Sequence, residues 1–161
     1  GMQMRSKGAK GRSLYIRALI NTFFRYKPTG VKIWIDDRLI YNNLLFSIAI
    51  GVGKYNGGGI QQLPEAVADD GLLDITIIRP LHWWNILFRL SRFFNGNIYT
   101  IGHVLHAQGR KIRIESSPES MLEIDGELFG VTPVEFNNVH RKVRVIVNRS
   151  FLTSLLTTNN L

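Results

Sequence analysis

From Val31 onward this chain counts in twos. Val31, Ile33 and Ile35 alternate with Lys32, Trp34 and Asp36. Successive side chains of a β-strand point to opposite faces, so this alternation writes one buried and one solvated face. The pattern returns where Ile112 and Ile114 flank Arg113, where Leu122 and Ile124 flank Glu123, and where Val143, Val145 and Val147 flank Arg144. A two-residue turn at Asp36-Asp37 or Asp37-Arg38 would pair the first strand with one near Leu39 to Ile50. Tyr99 to Ala107 and Val131 to Phe136 are further strand candidates. About seven or eight short strands with turn signals between them predict a mainly β chain, an antiparallel sandwich or barrel-like domain.

Two segments break the period. Ser13 to Phe24 sets Ile16, Leu19, Ile20 and Phe23 on one helical face, with Ser13 as N-cap. Pro28-Thr29-Gly30 ends it. After Pro80, Leu81 to Phe94 reads as an inserted amphipathic helix carrying Trp83, Trp84, Leu87, Leu90 and Phe94 beside Arg89 and Arg92, stopped by Asn95-Gly96. The expected layout is a basic arm over 1–11, a lead-in helix over 12–27, the sandwich over 28–148 and a tail over 149–161. Gly1 ahead of Met2 reads as a tag remnant.

Composition narrows the partners. The net charge of +8 favours anionic ones, an acidic lipid surface or a phosphate. Nucleic acid is not expected, because the cations are scattered and no recognised nucleic-acid motif occurs. The chain has no cysteine, which removes disulfides and thiolate metal sites and suits a cytoplasmic setting. No apolar run reaches the roughly 18 residues that would span a bilayer. Peripheral contact through the Trp83-Trp84 helix is the membrane option, against plain packing over the sandwich. His103 and His106, three apart in an expected strand, face opposite sides, and His82 and His140 stand alone, so histidines build no metal site.

The richest stretch runs from Gly51 to Asp74. An apolar run, Leu44 to Ile50, reads as a buried strand. It leads into Gly51-Val52-Gly53-Lys54-Tyr55-Asn56-Gly57-Gly58-Gly59, then Leu63-Pro64-Glu65-Ala66, then Asp69-Asp70-Gly71-Leu72-Leu73-Asp74. Glycine at the end of a strand marks a bend or a place where something approaches the backbone. The cluster is not a P-loop, because Tyr55 follows Lys54 and Ile48 holds the position of the first glycine. It is not a dinucleotide fingerprint, because Asn56 holds the place of the third glycine. Asp70-Gly71 alone is a turn signal. Glu123, Asp125 and Glu127 read as acids on one strand face.

Taken together these segments resemble the second domain of the diacylglycerol kinase catalytic family, the bacterial lipid kinases related to sphingosine kinases. The resemblance runs from about residue 12 to about Val147 and implies several roles. Asn56, Gly57, Gly58 and Gly59 would lie on the substrate side. Asp70, with the carbonyls of Val67 and Leu72, would hold a structural Mg²⁺, and Asp74 would order its waters. Asp125-Gly126-Glu127 matches the family's Asp-Gly-Glu, whose carboxylate takes the proton from the lipid hydroxyl as it attacks the γ-phosphate of ATP. Neighbouring acids suit that work, since like charges raise one pKa toward working pH. Either Asp125 or Glu127 is the base.

The family's first domain carries Gly-Gly-Asp-Gly-Thr for ATP, and that motif is absent from these residues. The chain alone is therefore expected to be inactive, with a nucleotide-binding domain needed in cis or in trans and homo-oligomers allowed. Two other readings stay open: a non-catalytic sandwich that binds an anionic lipid surface, and a related kinase acting on a sphingoid base or another alcohol.

Overall fold

The computed structural model describes residues 27–56 and 59–139, together with Lys142. The expected lead-in helix, the strand at Val143 to Val147, the tail, Gly57 and Gly58 lie outside the described residues.

Among the described residues nine strands follow in order: β1 (Thr29–Ile35), β2 (Arg38–Leu45), β3 (Ser47–Gly51), β4 (Leu73–Ile78), β5 (Val104–Gly109), β6 (Lys111–Ser117), β7 (Met121–Ile124), β8 (Glu127–Val131) and β9 (Val134–Asn137). Between β4 and β5 the chain makes one short helix, α1 (Trp83–Arg89), and two 3₁₀ turns, Leu90–Phe93 and Ile98–Thr100. The strands form an antiparallel sheet in the order β2-β1-β6-β9, a second in the order β3-β4-β5, and a separate hairpin, β7-β8. The sheets are open, so the sandwich expectation holds and the barrel-like one does not.

The period-two residues are what the two sheets bury. Val31, Ile33 and Ile35 from β1 and Ile112 and Ile114 from β6 meet Ile75 and Ile77 from β4, with Ile48, Ile50, Val134 and Phe136 packed around them. Ile33, Ile75 and Ile112 are fully buried. Truncating such an isoleucine to Ala typically costs about 2–5 kcal/mol.

The β1–β2 turn falls at Asp36-Asp37. Both residues have positive φ, 46° and 66°, the signature of the type I′ turn that matches the twist of a tight hairpin. Asp36 also joins the sheets: its Oδ1 accepts the backbone N–H of Arg110 and of Lys111, each at 3.0 Å, where the chain crosses from β5 to β6. Gly109 precedes that corner. A Cβ there would sit 2.1 Å from Ile35 Cγ2, so only glycine fits.

Three elements differ from their sequence patterns. The strand expected over Leu39 to Ile50 breaks at Phe46, whose side chain joins a second core of Ile78, Ile98, Ile101 and Val104. The break carries the chain from one sheet to the other, and it leaves Leu44 half exposed rather than buried. Tyr99 begins no strand: Ile98 and Ile101, three apart, are both buried, the spacing of a 3₁₀ turn. His103 accordingly lies in the turn before β5, and only His106 is in the strand. The inserted helix ends at Arg89 and finishes as a 3₁₀ turn before Gly96, whose φ is 75°. Among the described residues no helix is long and apolar enough to cross a membrane.

Candidate functional site

The glycine-rich segment leaves one end of the β3-β4-β5 sheet, and the Asp70 turn brings the chain back to it. Gly51, the last residue of β3, pairs with Asp74 near the start of β4, and Leu73 pairs with Gly109. The loop between β3 and β4 is closed on itself. The Asn56 N–H donates to the Ile60 carbonyl at 2.8 Å, the Asn56 side-chain amide reaches the Gln62 side chain, and Gly59 turns the chain with a φ of 77°. Leu63 and Ala66 anchor the loop as buried plugs. The Gln61 N–H donates to the Phe93 carbonyl at 2.7 Å, which ties the loop to the helical excursion.

The Asp70 turn is an Asx turn: its Oδ1 accepts the Leu72 N–H at 2.8 Å. The Leu72 carbonyl accepts the Asn138 side-chain amide at 2.9 Å, so the residue after β9 pins this turn to the other sheet. The donor set fits the chemistry of magnesium, which takes hard oxygens. One Asp70 oxygen and the second lone pairs of the Val67 and Leu72 carbonyls remain for a ligand. Among the described residues no group of three or more His, Cys, Asp or Glu side chains could hold a metal, so an ion here would rest partly on backbone carbonyls.

Behind the turn lies a polar cluster that the sequence pattern did not assemble. Asp74 is fully buried. Its Oδ1 receives His106 Nε2 at 2.8 Å and the Gln108 amide at 2.9 Å, while Oδ2 has no partner. The other nitrogen of His106, Nδ1, lies 3.3 Å from Glu65 on the loop. Tyr99 stacks on the His106 ring at 4.5 Å between centroids. The Tyr99 hydroxyl sits 3.2 Å from Thr76 Oγ1, which donates to the Gln62 carbonyl at 2.6 Å. Burial pushes the Tyr99 phenol above its ordinary value of 10.0, opposed by the Thr76 hydrogen bond and supported by the charges of Asp74 and Glu65. A usable signal was present. A carboxylate inside the apolar run Leu72 to Ile78 needs partners, and His106 and Gln108 share one face of the neighbouring strand.

Asp125 and Glu127 lie elsewhere. Asp125 and Gly126, with φ of 51° and 89°, form the turn of the β7–β8 hairpin. The register pairs Glu123 with Leu128 and Ile124 with Glu127. Directly paired residues share a face and neighbours alternate, so Glu123 and Glu127 point to opposite faces and Asp125 sits at the tip. The expected row of three acids is thus not formed, because a turn interrupts the alternation. The hairpin is rooted where Thr132 bonds Ser116 and Ser120, near Ser117 and Gly30 and at the opposite end of the sheet from Asp36. Val67, Asp70 and Leu72 lie in the turn that starts β4, Asn56 and Gly59 lie in the loop before it, which reaches Phe93 through Gln61, and Asp125 and Glu127 lie on the separate β7-β8 hairpin.

This build has solved and sequenced counterparts, and they are lipid kinases. The chain belongs to the family of the YegS C-terminal NAD kinase beta sandwich-like domain, whose model matches residues 3–147. A diacylglycerol kinase of Bacillus subtilis (strain 168) is 23% identical over 122 residues, covering 75% of this chain and 40% of that protein. The crystal structure of a diacylglycerol kinase from Bacillus anthracis str. Sterne superposes with a TM-score of 0.60 at 25% identity, covering 76% of this chain and 42% of that one. The chain thus corresponds to the C-terminal domain of these relatives and spans less than half of their length.

Proposed function

We propose that this chain is the acceptor-side domain of an ATP-dependent lipid kinase that phosphorylates a diacylglycerol-type hydroxyl. The observation that carries the reading is the family match together with the Asp125-Gly126-Glu127 turn presented at an exposed hairpin tip. In the proposed step a carboxylate of Asp125 or Glu127 takes the hydroxyl proton of the acceptor. The freed oxygen bonds the γ-phosphorus of ATP, the bond from that phosphorus to the bridging oxygen breaks, and ADP leaves. Phosphoryl transfer is chiefly positioning and electrostatic stabilisation, so the half of the relatives not spanned by this chain would have to hold ATP against the hairpin. The glycine loop, closed by Asn56 and backed by Leu63 and Ala66, would shape the acceptor side. Magnesium, when bound by the Val67 and Leu72 carbonyls and Asp70, would brace the turn that starts β4.

The test uses the protein joined to its nucleotide-binding domain. Asp125→Asn is the informative variant, because Asn tolerates the left-handed turn as Asp does while losing the base. If Asp125 is the base, turnover should fall about 10²–10⁴-fold, with acceptor KM little changed. Glu127→Gln asks the same of the second candidate, and Glu123→Gln, on the other face, should cost little. If Asp125→Asn and Glu127→Gln both leave turnover intact, the hairpin is only a turn and the assignment fails.

A further inference from the structure

The helical excursion between β4 and β5 shows a face that its own packing does not use. Its inner side is anchored: Leu81 and Phe93 pack against Ile78, Ile98, Ile101 and Val104. Its outer side carries large aromatics. Phe88 is 84% exposed and Trp84 47%. The two are four residues apart on α1, hence on one stripe of the helix. Phe94, just past the following turn, is half exposed as well. The Trp84 ring is held by stacking on His82, with centroids 5.6 Å apart.

The charge along this segment has one sign. No Asp or Glu occurs between Asp74 and Glu115, whereas Arg89 directly follows Phe88 and Arg92 lies one turn on. Arg92 is oriented by the Thr100 hydroxyl at 2.9 Å and the Thr100 carbonyl at 3.2 Å. A short helix with aromatics on one side, arginines at its rim and no carboxylate in its own segment has the make-up of a segment that lies in a bilayer interface. Tryptophan favours that boundary because its ring is apolar and its N–H polar.

We propose that α1 and the turn after it rest on an anionic phospholipid surface, with Trp84 and Phe88 entering the headgroup–acyl boundary and Arg89 and Arg92 on the lipid phosphates. The proposal deepens the lipid-kinase reading, since an acceptor dissolved in a membrane must be reached from its surface. A second copy of the chain is the poorer occupant. A two-fold contact through this stripe would bring the arginines of one face near those of the other, with no carboxylate on the stripe itself to pair them. Nucleic acid is poorer too, because the most exposed group on the face is a phenyl ring rather than a cation.

The test is vesicle co-sedimentation of the chain as it stands, without ATP or acceptor lipid, so its outcome is separate from kinase activity. Phosphatidylcholine vesicles containing phosphatidylglycerol should bind the chain, and pure phosphatidylcholine vesicles should bind it far less. Phe88→Ala should lower the partition coefficient roughly tenfold or more, and Arg89→Gln should lower it about fivefold. Both variants should keep the melting temperature of the parent, because the Phe88 side chain is exposed and no buried contact is lost. Trp84 fluorescence, read in a Trp34→Phe, Trp83→Phe background that keeps the parent's circular dichroism, should shift to the blue on binding. Failure of that background to fold leaves the sedimentation of Phe88→Ala and Arg89→Gln to decide. Equal binding to neutral vesicles, unchanged binding by Phe88→Ala, a concentration-dependent dimer lost on Phe88→Ala, or tighter binding to an oligonucleotide than to vesicles would each overturn the proposal. Vesicle binding by a chain whose full-length form phosphorylates no lipid would sink the kinase reading and leave this one standing.

Discussion

Replacing Asp74 tests whether the buried cluster holds the site end of the sandwich together. Asp74 is fully buried and bonds His106 at 2.8 Å and Gln108 at 2.9 Å. Asp74→Ala removes the acceptor from both groups at once and opens a cavity. Leaving hydrogen-bonding groups without their buried partner typically costs about 1–3 kcal/mol, and the cavity adds to that. Gln108 is exposed and the His106 side chain is 18% exposed, so both can regain water, which holds the expected loss, cavity included, to about 3 kcal/mol. For a chain of this length, about 2–4 °C per kcal/mol makes the drop in melting temperature roughly 6–12 °C. Gln108→Leu, which removes one bond at an exposed position, should cost only about 0.5–1.5 kcal/mol. The double variant Asp74→Leu, His106→Leu replaces both partners by apolar groups and should recover much of the loss, because only Gln108, which is exposed to water, then lacks its acceptor. Thermal and urea unfolding of the four proteins would read these numbers. A loss below about 1 kcal/mol for Asp74→Ala, within the range of an ordinary surface change, would show that the cluster does not anchor the loop.

Further outcomes are expected elsewhere. Asp70→Asn keeps the oxygen that accepts the Leu72 N–H, so it should melt like the parent in EDTA and below it in magnesium. With magnesium at about a hundred times its Kd, the difference is about 2.7 kcal/mol, and equal melting in both buffers would refute a metal at this turn. Tyr99 has its pKa raised by burial, so its contribution to stability is complete below pH 10.0 and is lost as pH rises through the higher folded-state value. Tyr99→Phe should therefore flatten the fall in stability above pH 10.0, and an unchanged slope would contradict the burial argument. Gly109→Ala places a methyl 2.1 Å from Ile35 Cγ2. It should cost about 1–3 kcal/mol or more by overpacking, read as a lower urea midpoint.

Much of this fold was legible because a half-buried strand must alternate. Val31 to Ile35 and Lys111 to Ser117 declare both their strands and their buried faces, and Asp36-Asp37 declares a turn. The sequence is silent where tertiary contacts decide. Phe46 looks like part of one long strand, yet it is where the chain leaves one sheet for the other. The stretch from Tyr99 reads as a strand, yet Ile98 and Ile101 bury themselves by a 3₁₀ turn. At the site, the Gly51 to Asp74 motif marked the loop and the turn that join β3 to β4. Asn138 stayed hidden because long-range partners are set by strand order, whereas Asp74 inside an apolar run called for partners such as His106 and Gln108 without saying which strand carries them. Asp125-Gly126 misled in another way: the alternating acids read as a strand face, whereas Asp-Gly is also what a type I′ turn demands.

The central claim is that this domain supplies the acceptor side and needs a nucleotide-binding partner. The direct measurement is transfer of labelled γ-phosphate from ATP to diacylglycerol in mixed micelles. It is run with the chain alone and with the chain covalently joined to the N-terminal domain of the Bacillus subtilis diacylglycerol kinase. The account predicts no transfer by the chain alone and transfer by the joined protein that Asp125→Asn or Glu127→Gln abolishes. Robust phosphorylation by the chain alone, or a folded joined protein that binds ATP and phosphorylates no lipid, would contradict it.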